Sequence, residues 1–151
     1  MIALKDSDLR KRVAELLVIR ASGHLLDSQR QYPQWEFSNN ELKRLIGKGV
    51  GGVILFGGTT YELEQRSQEL RSWAEQPLLL CADLEEGLGQ RFQGGTCLVP
   101  PLAVGQIYRK DPDKAIALAE QYGICTGFQA RTCGLNWVLA PVCDINNNPS
   151  N

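Results

Sequence analysis

One histidine, His24, serves the whole 151-residue sequence. No G-x-S-x-G motif accompanies it, and no Ser, Asp or Cys is tied to it by recognisable spacing, so it reads as a structural residue and not as half of a nucleophile pair. The cysteines Cys81, Cys97, Cys125, Cys133 and Cys143 are odd in number and form no C-x-x-C pair. That pattern suits neither a disulfide framework nor a zinc site, and reduced, mostly buried thiols are expected. Excess charge is missing too: sixteen Lys plus Arg face seventeen Asp plus Glu, a formal charge of -1, with no run of like sign. Nucleic acid and anionic lipid are therefore not expected as partners; a small molecule or a protein is. No apolar run approaches the roughly 20 residues that span a bilayer. The opening residues Lys5, Asp6, Asp8, Arg10, Lys11 and Arg12 are too charged for a signal peptide, which gives a soluble, cytoplasmic protein as the expectation.

What is present is enough apolar material, 43% of residues, for one domain with a buried core. Leu9, Val13, Leu16 and Leu17 recur at helical spacing and lead into a strand near Val18 and Ile19. Ser38 with Glu41, and Thr59 with Glu62, form two capping boxes, each opening a helix. The first carries Leu42, Leu45 and Ile46 on one face and stops at Gly47. The second carries Leu63, Leu70, Trp73 and Ala74 and ends before Pro77. Residues 53–56 and 78–82 are short, unalternating apolar runs, the form of parallel strands covered on both faces. Asp111-Pro112 predicts another helix start, with Ala115, Leu118, Ala119 and Tyr122 facing inward and Gly134 past its end. Residues 135–140 form a last strand, before a polar tail at 146–151. Residues 84–110, rich in Gly and Pro, read as a binding loop, being longer than the roughly 12 to 15 residues beyond which irregular loops are usually functional.

This βα alternation implies a parallel sheet with right-handed crossovers, either open or barrel-like. A complete (β/α)8 barrel takes roughly 250 residues. The chain therefore reads as the first half of one, with about four strands.

In such folds ligands meet the C-terminal ends of strands, where Asp83 follows 78–82. An ionised carboxylate there can accept hydrogen bonds from two neighbouring sugar hydroxyls; it can equally cap the turn or pair with a base. Arg91, eight residues on, could present its donor fork opposite Asp83 or simply brace the loop. Asp83, Glu85 and Glu86 lie too close in sequence to flank one scissile bond without a special turn. A magnesium site joining them to Asp144 has no specific motif behind it. The glycine-rich stretch at 47–52 precedes a strand instead of opening a helix, which makes it a helix stop and tight turn and not a phosphate loop.

Three segments carry a family likeness: Gly-Gly-Val-Ile-Leu-Phe-Gly at 51–57; Pro-Leu-Leu-Leu-Cys-Ala-Asp-Leu-Glu-Glu-Gly at 77–87 with Gln-Arg-Phe at 90–92; and Gly-Leu-Asn-Trp-Val-Leu-Ala-Pro-Val-Cys-Asp-Ile at 134–145. In order and spacing they resemble the N-terminal barrel of family-3 glycoside hydrolases, closest to the β-N-acetylhexosaminidase and related β-glucosidase branch. The resemblance implies that residues 1–151 are the N-terminal portion of a catalytic (β/α)8 barrel, truncated after its fourth strand, whose substrate is a carbohydrate and which needs no cofactor or metal. It implies substrate-binding roles for Asp83 and Arg91, and no specific role for Asp144. It assigns no catalytic residue here, since the nucleophilic aspartate, the proton donor, a further arginine and a Lys-His pair all come later in proteins of this type. Glu86 stands where a glycine is usual, which would crowd the turn beside Asp83.

The first functional expectation is thus a piece of a retaining exo-β-glycosidase acting on terminal N-acetylglucosamine or glucose, inactive alone. The second is a non-catalytic sugar-binding or assembly module, self-associating or pairing with a second half. A flavodoxin-like ligand domain is a third, weakened by the lack of a placed phosphate loop.

Overall fold

The structure, a computed structural model, describes residues 6–145, 147 and 148. Helix α1 spans Asp6–Ala14 and strand β1 Val18–Ser22; α2 is Asn39–Ile46, β2 Gly52–Phe56, α3 Thr60–Ser72 and β3 Leu79–Asp83. Then come α4 at Pro101–Tyr108, α5 at Pro112–Thr132 and β4 at Trp137–Leu139. The tail expected at 146–151 lies largely outside the described residues.

Both capping boxes form. The Ser38 hydroxyl accepts from the Glu41 amide while Glu41 accepts from the Ser38 amide at 2.9 Å, and Thr59 and Glu62 do the same for α3. These side chains satisfy amides that the first turn leaves without intrahelical partners. Asp111 caps α5 through the Lys114 amide at 3.1 Å, with Pro112 in the first turn. After α2, Gly49 takes φ +92, a conformation open to glycine at little cost, so this stretch is the expected helix stop.

The sheet is parallel throughout, in the order β1-β2-β3-β4. Sequential order distinguishes it from a doubly wound sheet, whose strand order reverses at a switch point. It is the order of the first half of a (β/α)8 barrel, as expected. Strand alternation then sorts the side chains. Ala21 pairs with Leu55, and Val53 with Leu80; these four, with Ala82, are fully buried in the core beneath α2 and α3, beside Leu42, Leu63 and Leu70. The opposite face carries Arg20 in register with Ile54, Ile54 with Cys81, and Asp83 with Leu139.

Leu9 and Val13 of α1 are about half exposed, and Leu16, just past its end, is 82% exposed. Some expectations fail. Residues 84–110 are not one irregular loop, because Pro101 stands at the start of α4 with its backbone preset for a helix. On α5, Ala119 is exposed, and the buried residues are Ala115, Thr126 and Ala130. The thiols are not mostly buried either: Cys81 and Cys133 are, whereas Cys97 and Cys143 are exposed.

Candidate functional site

Asp83 closes β3, at the rim where the parallel strands point. The chain beyond it turns at Gly87, φ +84, where an added Cβ would lie 2.6 Å from the Thr96 carbonyl oxygen. A 3₁₀ turn at Leu88–Gln90 follows, pinned by Leu88 and Phe92, each 1% exposed. Its far end is tied to the start of α3: the Gln93 amide donates to the Gly58 carbonyl, and the Thr60 amide to the Gln93 carbonyl, both at 2.9 Å. This path returns Arg91 to the strand it left.

Arg91 and Asp83 meet there. Arg91 Nε donates to the Asp83 carbonyl at 3.2 Å, and Nη2 lies 3.7 Å from Oδ2. Both readings of these residues, loop brace and ligand clamp, remain compatible with that contact, because about a third of each side chain stays exposed. Glu86 does not crowd the turn. Positive φ falls only on glycines among the described residues, and the Glu86 amide donates to Gln90 Oε1 at 3.1 Å. Glu85 belongs elsewhere, beside the groove lined by α4 and α5, with its carbonyl accepting from the Tyr122 hydroxyl at 2.5 Å. Asp144 is exposed, and among the described residues no three His, Cys, Asp or Glu side chains gather as metal ligands would.

A cavity of about 680 Å³ opens at this rim, lined in part by Arg20, His24, Tyr32, Trp35, Phe56 and Arg91. Asp83 is not among its lining residues and reaches it through Arg91. Sequence reasoning missed most of this wall. His24 does have a structural bond, Nδ1 to Glu62 Oε1 at 3.1 Å, yet it also borders the cavity. Arg20 left one signal, a lone charge inside an otherwise apolar run at 16–21.

The electrostatics are local. Burial pushes the Glu62 carboxyl up, but the Thr59 amide, His24 and the Thr59 hydroxyl outweigh it and leave the group below its usual range. Beneath the site, burial and the charge of Asp83 push the Cys81 thiol up to about 11. The site therefore offers acceptors, guanidinium donors and aromatic faces, the equipment for holding a polyhydroxylated ligand.

Known proteins place this arrangement. The family described as "Glycosyl hydrolase family 3 N terminal domain" matches residues 8–151. A "Beta-hexosaminidase" of Stenotrophomonas maltophilia is 36% identical over 73% of this chain and 34% of its own length; one from Chromobacterium violaceum is 36% identical over 70% and 30%. The chain thus spans about a third of the relatives it matches. Among solved structures, a family 3 β-N-acetylglucosaminidase from a Paenibacillus species superposes with a TM-score of 0.69 at 29% identity, covering 99% of this chain and 26% of that one. NagZ from Neisseria gonorrhoeae, solved with N-trifluoroacetyl-D-glucosamine, gives 0.64 at 25% identity, covering 82% and 36%. The strand order, the rim and the match over 8–151 agree: this chain belongs to glycosyl hydrolase family 3, in its N-terminal domain.

Proposed function

We propose that these residues form the sugar-holding front of a retaining exo-β-glycosidase that removes terminal β-linked N-acetylglucosamine or glucose, with Asp83 and Arg91 contacting the terminal sugar. The contact between Asp83 at the end of β3 and the returning Arg91 carries the reading. A carboxylate accepts from vicinal hydroxyls, and a guanidinium, with five donors, has several left after bonding to one carbonyl. Relatives named for hexosaminidase and N-acetylglucosaminidase activity support the substrate class. The same proposal holds that these 151 residues do not turn over substrate alone. Retaining hydrolysis needs a nucleophile and a proton donor on the two sides of one bond, whereas Asp83 is engaged by Arg91 and Glu85 borders a different groove.

Titration with N-acetylglucosamine and glucose, followed by amide NMR shifts, tests it. Weak saturable binding is expected, lost in Asp83→Asn and Arg91→Met; binding that survives both substitutions refutes the site. Measurable release of aryl alcohol from aryl β-glycosides refutes the inactivity.

A second reading, an assembly module, has its own observation. A groove of about 580 Å³ between α4, α5 and β4 is lined largely by apolar residues such as Val104, Ile116 and Val138, and Ile124 and Phe128 on α5 are more than 60% exposed. With β1 and β4 as open sheet edges, self-association or pairing with a second half would cover this surface. Light scattering on the purified chain tests it, and a monomer at high concentration counts against it.

A further inference from the structure

We propose that Arg20 is a further ligand-contacting residue, in the rim cavity that Arg91 also lines, and that it selects saccharides bearing a carboxylate. This rests on the sugar-holding reading of Asp83 and Arg91 and adds a substrate class to it.

The argument begins with register. Ala21 is fully buried in the core, so its neighbour Arg20 points to the other face of the sheet, in line with Ile54. There its guanidinium carbon lies 4.3 Å from the centre of the Phe56 ring and 5.3 Å from that of Tyr32. Such packing fixes the plane of the group and suits a guanidinium better than an ammonium. Behind it stands Glu36, whose side chain is 1% exposed, with Oε1 3.9 Å from Arg20 Nη2. Glu36 is itself held. Its Oε2 accepts from the Tyr32 amide at 3.2 Å and its carbonyl from Arg30 Nη1 at 2.7 Å, while the Phe37 amide donates to the Arg20 carbonyl at 3.2 Å.

This support gives Arg20 an ion pair but no hydrogen bond to its guanidinium. Its Nε is buried with no hydrogen-bond partner and its contact with Glu36 is 3.9 Å long, yet 34% of the side chain is exposed and Arg20 lines the cavity. Arg91, whose guanidinium carbon is 5.5 Å from the same Phe56 ring, and His24 line it as well, and no carboxylate does among the described residues. An oriented guanidinium facing such a wall takes a carboxylate by paired, charge-assisted hydrogen bonds, a planar fork-to-fork geometry that a single hydroxyl cannot match.

The experiment compares D-glucuronate with D-glucose, titrated against the whole chain by NMR. Wild type should bind glucuronate about tenfold more tightly, a preference that weakens with added salt. Arg20→Met, which keeps the apolar stem on Phe56, should bring glucuronate down to the level of glucose. If that variant loses its folded circular-dichroism signature, Arg20→Lys serves instead and should retain charge attraction but lose most of the paired-bond preference. Equal affinities in wild type, or a preference of about tenfold undiminished by the substitution, overturn the role of Arg20 while leaving glucose binding through Asp83 intact. Absence of binding by either sugar and by N-acetylglucosamine overturns the sugar-holding reading and this inference together.

Discussion

Arg66 of α3 donates from Nε to the carbonyl of Ser22, the last residue of β1, at 3.3 Å. The same guanidinium reaches Asn39 Oδ1 at the start of α2 and Glu69 Oε2 on its own helix, both at 2.7 Å. One buried cation, 2% exposed, therefore ties β1, α2 and α3 together. Arg66→Ala should lower the unfolding free energy by about 3 kcal/mol, since it removes packed volume and strips partners from buried polar groups. Urea denaturation checks this; a loss below about 1 kcal/mol would show that the network relaxes without cost.

The turn beside the rim depends on Gly87. Its φ is +84, and the Thr96 carbonyl oxygen lies 2.6 Å from the point where a side-chain methyl would stand, so Gly87→Ala meets both backbone strain and a clash. A loss of about 1 to 3 kcal/mol is expected in the same denaturation assay. Because the turn returns Arg91 to Asp83, sugar affinity should fall with it.

The Asp83–Arg91 pair should matter little for stability. Both side chains are about a third exposed, so solvent screens the pair and Arg91→Met should shift the unfolding free energy by no more than about 1 kcal/mol. A much larger loss would make Arg91 chiefly a brace for the loop.

Acid sensitivity should trace in part to Glu62. Its folded-state carboxyl titrates below the usual 4.5, so the stabilisation is present above that value and is lost as pH falls through the lowered one. Glu62→Gln should flatten the acid limb of a stability-versus-pH curve and weaken the cap of α3. An unchanged acid limb refutes the assignment.

Thiol reactivity should split by site. Exposed Cys97 and Cys143 should react quickly with a disulfide reagent at pH 8, whereas Cys81, buried and pushed up to about 11, should react only on unfolding. Mass spectrometry of the labelled peptides distinguishes the sites.

Local chemistry is what makes parts of this protein readable from its residues. Capping boxes at Ser38 and Thr59 work within one turn of chain, and the strand at 53–56 announces itself by its own apolar run, so α2, α3 and β2 lie where expected. Helix α4 is harder to see, since it carries no capping side chain and buries no residue. Its Pro100-Pro101 start follows a glycine-rich stretch closely enough to pass for part of the same loop.

Residue order thus decided the βα alternation, the two capped helices and the position of Asp83 at a strand end, all through interactions spanning a few residues. Only the folded sheet decided that Arg91 comes back to Asp83 and that Arg20, Tyr32 and Phe56 form one wall with Glu36 behind it. Arg20 and Phe56 lie on different strands, and Arg91 returns to Asp83 only through a turn held by buried side chains, so strand register and buried contacts, which no local pattern encodes, set these distances.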